Sequence, residues 1–216
     1  MALGAADVAA CVSPEAAGRM AVDLGAGFGV HAIPLARHGY SVVAVDASAG
    51  LLEELGRNAG GLDIRRVNDD LLNFRDHVQG GADLIVCMGD TLTHLQQEAH
   101  VERLYRDIAA ALAPGGRFVM TYRDYSSLPE AEARFVPVRS DSDQILTCFL
   151  EEEPAHVLVH DLLHQRRGGM WELRVSSYRK LRLPTRWIME ALGRAGLRAK
   201  SEPAARGMIK VTAVAA

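Results

Sequence analysis

Short apolar runs alternate with segments of helical length in the first half of the chain. Residues 21–24 and 41–45 are rich in β-branched side chains, and each run is followed by a glycine or an aspartate. Such runs are typical of buried strands. Residues 30–38 between them have the length of a short helix, so this part of the sequence predicts a β-α-β unit.

A second helix is predicted directly after these residues. Ser48 suits the N-cap of a helix over residues 49–58, because its hydroxyl can accept a hydrogen bond from a backbone N–H of the first turn. Three leucines of this helix have core-facing spacing: Leu51, Leu52 and Leu55.

The alternation continues to residue 122. Further strands are predicted at residues 64–67, 83–88 and 117–122, and residues 101–112 show an amphipathic helical pattern. Pro114-Gly115-Gly116 ends that helix and turns the chain into the fifth strand. Strands that alternate with helices predict a parallel sheet covered on both faces.

The pattern changes in the second half of the chain. From about residue 135 to 183 the sequence is strand-like, and Gly168-Gly169 separates two alternating runs as a hairpin turn does. A last helix is predicted over residues 185–195 and a terminal strand over residues 208–214.

The length of the chain suits one α/β domain with a full core and is short for two. We therefore expect a single domain over residues 1–216. Its sheet is mostly parallel, and residues 134–183 form an antiparallel β insertion before the last helix and strand.

A glycine loop gives the first indication of chemistry. Residues 22–29, Val-Asp-Leu-Gly-Ala-Gly-Phe-Gly, lead from a predicted strand into a helix, as in nucleotide-binding sites. A dinucleotide site prefers Gly or Ala where this chain has Val30. Asp23 would repel a pyrophosphate at the loop, but it would attract the ammonium group and sulfonium centre of S-adenosylmethionine (SAM).

Acids also follow the next two strands. Asp46 lies 17 residues after Gly29, where a carboxylate can accept hydrogen bonds from both ribose hydroxyls. Asp70 is placed to receive the adenine amino group, with the backbone of Leu71 beside it, and Asp69 could take that role instead.

Together these features resemble the pattern of class I SAM-dependent methyltransferases. The shared features are the Asp-x-Gly-x-Gly-x-Gly loop, the acids after strands two and three, and Pro-Gly-Gly before strand five. The resemblance covers at least residues 21–122 and implies a Rossmann-like methyltransferase fold with SAM as cofactor. It implies the cofactor-binding residues Asp23, Gly25, Ala26, Gly27, Gly29, Asp46, Ala47, Asp70, Leu71 and Met88.

Two segments after strands four and five are candidates for the acceptor site, because ligands of open α/β sheets bind beyond the carboxyl ends of strands. Residues 87–95, Cys-Met-Gly-Asp-Thr-Leu-Thr-His-Leu, resemble the Cys-Leu-Gly-Asn-Ser-x-x-His-Leu loop of glycine N-methyltransferases. Residues 122–125, Tyr-Arg-Asp-Tyr, are similar to their His-Arg-Asn-Tyr, and residues 174–178 resemble one of their strands. That group also inserts an antiparallel sheet.

Two departures from that group change the expected acceptor. In the group, the loop Asn and the strand-five Arg help to hold a carboxylate; here Arg123 matches, but Asp90 replaces the Asn. An anionic Asp90 opposes a carboxylate and favours a cationic amine or a hydroxyl, so we expect glycine to be a poor acceptor. The group has an N-terminal lid where only 20 residues precede Ala21, which suggests an open pocket, a cover from a partner or a shortened chain.

Methyl transfer from a sulfonium is an in-line displacement by a neutral nucleophile about 3 to 3.5 Å from the methyl carbon. The predicted catalytic residues are Asp90, His94, Arg123, Asp124 and Tyr125, of which His94, Asp124 and Tyr125 are candidate bases. His94 has an alternative explanation as a structural loop histidine, and Arg123 has one as a surface ion-pair partner. The predicted function is methylation of a nitrogen or oxygen of a small molecule.

Charge leaves a second substrate class open. The net charge is −3, but residues 160–200 hold ten Lys or Arg against three acids. This run is compatible with an RNA-directed methyltransferase. No aromatic-rich stacking motif accompanies it, so we expect a small-molecule substrate and no nucleic-acid partner. A SAM-binding protein without catalysis and a nicotinamide oxidoreductase also stay open as functions.

The remaining residues predict neither a metal site nor a membrane segment. The three cysteines form no CxxC pair, and His156, His160 and His164 would lie about 13 Å apart along a strand, too far for one ion. The apolar runs are short of a membrane span, and the first ten residues lack the basic region of a secretory signal. We expect a cytoplasmic protein and leave a homodimer open.

Overall fold

The structure is a computed structural model that describes residues 2–9, 11–12 and 19–215. The α-helices of these residues are α1 Ala2–Ala9, α2 Ala32–Arg37, α3 Ala49–Ala59, α4 Glu98–Ala111 and α5 Thr185–Arg194. Short 3-10 helices lie at Leu71–His77, Thr91–His94, Ala131–Arg134 and Ala205–Gly207. None of the described helices is long and apolar enough to cross a membrane.

The strands of the described residues form two sheets. They are β1 Met20–Leu24, β2 Ser41–Asp46, β3 Ile64–Asn68, β4 Ala82–Cys87, β5 Leu112–Tyr122, β6 Phe135–Ser140, β7 Gln144–Glu152, β8 His156–Arg167, β9 Met170–Leu181, β10 Leu197–Pro203 and β11 Ile209–Ala215. One sheet has the order β10-β11-β5-β4-β1-β2-β3 and the other β6-β7-β8-β9. Because β1 to β5 are parallel and β6 to β9 antiparallel, the predicted α/β fold with an antiparallel insertion is confirmed.

The chain divides into two compact units, each with one sheet. Unit 1 comprises the described parts of Met1–Leu92 and Arg186–Ala216, together with Ala99–Arg123, and it contains the seven-stranded sheet. Unit 2 comprises Thr93–Glu98 and Asp124–Thr185, and it contains the four-stranded sheet. The glycine loop therefore belongs to unit 1.

Helix α3 shows how local sequence sets an element of unit 1. The Ser48 hydroxyl accepts a hydrogen bond from the Leu51 N–H at 3.4 Å, so it caps the helix as predicted. Leu52 and Leu55 are buried in the core, but Leu51 is 38% exposed, which corrects its predicted core position. Gly60 ends the helix with a φ angle of 60°, a left-handed conformation that glycine adopts without steric cost.

The course of β5 differs from the prediction. The strand begins at Leu112, so Pro114-Gly115-Gly116 lies within the strand rather than in a turn before it. The register of β5 against β4 shifts between Ala82 and Leu84, which accommodates these residues as an irregularity of the pairing. A Cβ atom at Gly116 would lie 2.6 Å from the Ala82 carbonyl oxygen, so this position requires glycine.

Two elements of unit 1 were not predicted. Helix α1 was missed, and β10 pairs antiparallel with β11 at the edge of the sheet. The sequence of β10, Leu-Arg-Ala-Lys-Ser-Glu-Pro, buries Leu197 and exposes most other side chains. An edge strand of this kind has too little apolar alternation to be detected from its sequence.

The sheet of unit 2 follows the sequence pattern closely. Gly168 and Gly169 turn β8 into β9 with φ angles of 56° and 82°, as expected for a two-residue hairpin turn. On one face of the sheet, Leu150 of β7 and Val157 and Val159 of β8 form a small apolar cluster with Tyr125.

Candidate active-site residues

The glycine loop connects β1 to α2 at the carboxyl ends of the parallel strands. Gly25, Gly27 and Gly29 have φ angles of 75°, 51° and 94°, a region that side chains rarely adopt. A Cβ atom at Gly25 would come within 2.4 Å of the Thr91 side chain. No described atom lies within 4 Å of the Cβ position at Gly27, so a ligand can approach the backbone there.

The Asp46 carboxylate, at the end of β2, fixes this loop. Its Oδ2 accepts a hydrogen bond from the Gly27 N–H at 2.8 Å, and its Oδ1 accepts one from the Ser48 N–H at 2.8 Å. An ionised carboxylate has about four acceptor positions. Asp46 can therefore hold the loop and still accept hydrogen bonds from a bound molecule.

Asp23 is a fully buried acid within β1. Its exposed fraction is 0%, and neither carboxylate oxygen accepts a hydrogen bond of normal geometry from a described residue. Burial raises the pKa of Asp23 to about 6, and the nearby His31 ring and Ala32 N–H oppose this rise only in part. Since a buried carboxylate without partners is costly to ionise, the position favours a cationic neighbour.

Two adjacent acids follow β3 and differ in their partners. The Asp69 carboxylate contacts His77 Nε2 at 2.8 Å and accepts a hydrogen bond from the Asn73 amide at 3.0 Å. The contact with His77, followed by that with Asn73, lowers the pKa of Asp69 to about 2. Asp70 is exposed and accepts a hydrogen bond from the Leu72 N–H at 2.8 Å. Asp70 is thus the better placed of the two acids to meet a ligand.

A cavity of about 280 Å³ in unit 1 adjoins the glycine loop. The predicted cofactor-binding residues that line it are Gly25, Ala26, Gly27 and Met88. The other predicted residues do not line it: Asp23, Gly29, Asp46, Ala47, Asp70 and Leu71. Asp46 adjoins the cavity through its hydrogen bond to Gly27, and Asp70 and Leu71 follow the neighbouring strand.

Three residues of the cavity wall with ionisable side chains were missed by the sequence analysis: Asp7, His31 and Arg206. Asp7 lies in α1, with its Oδ2 atom 3.7 Å from His31 Nε2. Arg206, before β11, has a left-handed backbone with φ 58° and ψ 33°. Such a conformation is uncommon for a residue other than glycine and is often kept at functional sites. Neither a motif nor a periodic pattern marks these positions in the sequence.

Asp90 connects the loop after β4 to the end of β5. Its Oδ1 accepts a hydrogen bond from the Arg123 N–H at 2.9 Å, and its own N–H donates to the Thr121 carbonyl oxygen at 3.0 Å. The side chain is only 4% exposed. An Asn here would offer the same acceptor atom, so the structure gives Asp90 a connecting role that does not depend on its charge. Whether that charge also disfavours glycine stays a prediction.

Both carboxylate oxygens of Asp124 accept hydrogen bonds from residues of unit 2. Its Oδ2 accepts hydrogen bonds from the N–H and the hydroxyl of Thr185, at 2.8 and 2.7 Å, and its Oδ1 accepts one from the Ser126 N–H at 2.9 Å. Burial acts to raise the pKa of Asp124, but these hydrogen bonds outweigh it and lower the pKa below its ordinary value. The structure therefore argues against Asp124 as a base and assigns it to the start of α5.

Unit 2 brings two predicted residues, His94 and Tyr125, together with two that were not predicted. The His94 ring stacks on the Tyr178 ring, with centroids 5.2 Å apart and planes at 23°. The Lys180 ammonium lies 5.8 Å from the Tyr178 ring centroid and 6.0 Å from that of Tyr125, within the range of cation–π attraction. Lys180 is only 9% exposed, so its charge acts in a largely dry environment.

The basic run of residues 160–200 is extensively paired. Five of its arginines form ion pairs with glutamates: Arg167 with Glu172, Arg179 with Glu153, Arg182 with Glu152, Arg186 with Glu190 and Arg194 with Glu102. Of the histidines in β8, His160 contacts Glu151 at 2.8 Å, whereas His156 faces the Gln96 carbonyl oxygen. Groups with separate partners do not form one ligand set.

Residues 21–116 match the family model of the methyltransferase domain. A glycine/sarcosine N-methyltransferase from Parasynechococcus marenigrum (strain WH8102) is 30% identical over 118 residues, which cover 54% of this chain and 42% of that protein. A cypemycin N-terminal methyltransferase from Streptomyces sp is 35% identical over 133 residues, covering 60% of this chain and 53% of that protein. The chain thus matches about half the length of these curated relatives.

A solved structure extends the likeness to nearly the whole chain. The SAM-bound amino pentose methyltransferase from Micromonospora echinaspora has a TM-score of 0.79 at 19% identity, covering 97% of this chain and 89% of that one. At this identity the likeness shows the fold. Fold and domain match agree: residues 21–116 match a methyltransferase domain, and the chain has the fold of class I SAM-dependent methyltransferases. Within this class, it resembles the glycine N-methyltransferase-like group.

The residues of unit 1 fit SAM, the cofactor of this class. The Asp23 oxygens, which accept no hydrogen bond of normal geometry from a described residue, suit a cofactor with cationic groups and would disfavour the pyrophosphate of a dinucleotide. The backbone is open at Gly27, and Asp46 beside it retains acceptor capacity for hydroxyl groups. The donor set therefore agrees with the class that fold and sequence define.

Proposed function

We propose that this protein transfers the methyl group of SAM to a nitrogen or oxygen of a small molecule, with nitrogen favoured. The observation that carries the proposal is the buried carboxylate of Asp23, which accepts no hydrogen bond of normal geometry from a described residue and lies in the strand that leads into the open glycine loop. The named relatives support nitrogen, because their names refer to glycine and sarcosine, an N-terminus and an amino pentose. An amine is common to these acceptors.

We assign cofactor binding to the predicted residues of unit 1. SAM supplies a methyl group bonded to a cationic sulfur. Asp23 balances the positive charge of the cofactor, Asp46 accepts hydrogen bonds from the ribose hydroxyls, and Asp70 accepts one from the adenine amino group. The remaining predicted residues would contact SAM through their backbone or side chains: Gly25, Ala26, Gly27, Gly29, Ala47, Leu71 and Met88.

The acceptor must present a neutral lone pair. As that lone pair bonds to the methyl carbon, the carbon–sulfur bond breaks and its electron pair stays on sulfur. We propose His94, stacked on Tyr178, as the group that accepts the amine proton. The positive charge of Lys180 close to both tyrosine rings disfavours a protonated amine and so favours the reactive, neutral form.

Arginines provide a second specificity element in unit 1. Arg123 Nη1 lies 3.6 Å from the Cβ position of Gly207, next to the cavity-lining Arg206. A guanidinium group beside this loop suits an anionic group on the acceptor. We therefore propose an acceptor that carries both an amine and an anionic or strongly polar group.

We further propose that residues 1–216 act as one methyltransferase domain, in which residues 134–183 supply acceptor-side groups. The ion pairs of the basic run support a small-molecule acceptor over RNA, because paired cations are less available to phosphates. The cluster of His94, Tyr178 and Lys180 supports catalysis over mere SAM binding, since such a set is unnecessary for holding the cofactor.

Calorimetry tests the cofactor assignment. We expect SAM to bind to the wild type and NAD not to bind. Asp46→Ala should weaken SAM binding by about 1.5 to 3 kcal/mol, roughly 10-fold to 150-fold, because it removes a charged hydrogen-bond acceptor. Asp76→Ala, a change of an exposed acid, is the matched control and should leave the affinity unchanged. Tighter binding of NAD than of SAM would overturn the assignment.

Methyl-transfer assays test the acceptor class. Mass spectrometry of a panel with glycine, sarcosine, amino sugars and their hydroxyl analogues should show methylation of the amines. If SAM binds but no acceptor is methylated, a binding protein without catalysis is the better description.

A further inference from the structure

The outer strand of the four-stranded sheet exposes both its edge and its side chains. Strand β9 is 12 residues long and ends the order β6-β7-β8-β9, and no strand among residues 19–215 pairs with its outer edge. Residues 170–177 are exposed without exception. A long strand edge of this kind can pair with a strand of another chain through its unused backbone N–H and C=O groups.

One face of β9 is apolar as well as exposed. Trp171, Leu173 and Val175 alternate along the strand and so share a face, with exposed fractions of 46%, 54% and 57%. Glu172 and Arg174 lie between them on the opposite face. Apolar side chains grouped in this way on a sheet edge mark an interaction surface.

We propose that β9 pairs antiparallel with β9 of a second copy of this chain, about a two-fold axis at Leu173. The two four-stranded sheets would then continue as one sheet of eight strands. In this register Leu173 lies opposite Leu173 of the partner subunit, and Trp171 lies opposite Val175 of the partner subunit. Glu172 lies opposite Arg174 of the partner subunit, so the strand is complementary to itself in shape and charge.

The charges select this register over its neighbours. If the two-fold axis lay at Glu172 instead, Glu172 would lie opposite Glu172 of the partner subunit. If it lay at Arg174, Arg174 would lie opposite Arg174 of the partner subunit. Like charges directly opposite each other destabilise a strand pair, whereas opposite charges stabilise it. The register centred on Leu173 gives two Glu–Arg pairs by symmetry.

Glu172 remains available for this pairing. It contacts Arg167 of its own hairpin at 3.7 Å, but the side chains of Arg167 and Glu172 are 56% and 52% exposed. Exposed ion pairs of this length contribute little free energy. Glu172 can therefore leave Arg167 and pair with Arg174 of the partner subunit at a small cost in free energy. Because a two-fold contact uses the same strand edge on both copies, it closes at the dimer and leaves no β9 edge for further growth.

The mass of the wild-type protein in solution is the first measurement. Sedimentation velocity at micromolar concentrations should give a dimer. Glu172→Arg and Arg174→Glu each turn two attractive pairs into two repulsive ones, so each should raise the dimer dissociation constant about 10-fold or more. The double variant Glu172→Arg/Arg174→Glu restores both pairs with reversed polarity and should recover the dimer.

Val138→Lys is the matched control, because Val138 is an equally exposed apolar residue (56%) on β6, at the other side of the sheet. It should leave the dimer intact. Thermal unfolding identifies any variant that fails to fold. If one of the two single variants does not fold, the other one tests the proposal. The proposal is overturned by a monomeric wild type, by single variants that dimerise normally, by a folded double variant that stays dissociated, or by dissociation in Val138→Lys.

Discussion

Asp23 links stability to cofactor binding at the scale of a single residue. Its pKa in the folded chain is about 6, whereas its ordinary value is 3.8. Between these values the folded state binds more protons than the unfolded state, so the free energy of unfolding falls as pH rises. The stabilising contribution of the protonated acid is fully present below about pH 4 and is lost as pH rises through about 6.

Replacing Asp23 by Asn removes this titration. From pH 4 to pH 7, the unfolding free energy of Asp23→Asn should rise relative to that of the wild type by about 2 to 3 kcal/mol. Urea unfolding at both pH values measures the difference. The same variant should bind SAM more weakly, since the charge that balances the cofactor is gone.

Asp69→Asn is the control for this prediction, because the pKa of Asp69 is lowered to about 2 rather than raised. Its stabilising contribution is lost only as pH falls through that value, so the variant should show no relative gain from pH 4 to pH 7. A pH-independent difference between Asp23→Asn and the wild type would contradict the assigned pKa.

The sequence located these acids but not the partners of their oxygen atoms. Asp23, Asp46 and Asp70 stand at fixed distances from strand ends, and such local spacing can be read directly. The Ser48 N–H lies two residues from Asp46 along the chain, but the Gly27 N–H reaches Asp46 only when β1 and β2 pair. Hydrogen-bond partners set by tertiary contacts cannot be derived from local pattern.

At the scale of elements, Asp90 joins the loop after β4 to β5. Asp90→Ala leaves the half-buried Arg123 N–H without this acceptor and places alanine at a φ angle of 73°, so we expect a loss of about 1 to 3 kcal/mol in stability. Asp90→Asn keeps an oxygen acceptor and tolerates that angle better. Its loss should be much smaller. Urea unfolding of both variants measures the difference.

Methyl-transfer assays on the same variants separate the hydrogen bond from the charge. If the charge of Asp90 selects the acceptor, Asp90→Asn should methylate glycine better than the wild type does. If Asp90 mainly joins two elements, the glycine activities of Asp90→Asn and the wild type should be alike, and we expect this result. Equal destabilisation by Asn and Ala would contradict the connecting role.

The elements that were predicted well are those with a strong apolar period. Strands β1, β2 and β4 are buried on both faces, and their apolar runs give their positions to within about a residue. Strand β10 was missed because its side chains are mostly polar and exposed. The prediction of a turn at Pro114-Gly115-Gly116 was wrong. These residues usually signal a turn, but pairing of β5 with β4 keeps them in a strand here.

Charge at the scale of the whole molecule argues against an RNA substrate. The net charge is −3, and Arg179, Arg182 and Arg194 of the basic run contact glutamates at 2.7 to 2.9 Å. We expect no measurable binding of a labelled single-stranded RNA at physiological salt, about 0.15 M, in fluorescence anisotropy. A sub-micromolar complex that weakens steeply with added salt would instead support an RNA-directed enzyme.

The division of the chain into two units has a practical consequence for engineering. Unit 2 takes in Thr93–Glu98 as well as Asp124–Thr185, so His94 belongs to it although its neighbours Leu92 and Ala99 belong to unit 1. If only residues 124–185 of this chain were transferred to a homologous enzyme, His94 would not be transferred with them. If unit 2 supplies the acceptor-side groups as proposed, transplanting acceptor preference requires two grafts, one of about sixty residues and one of six.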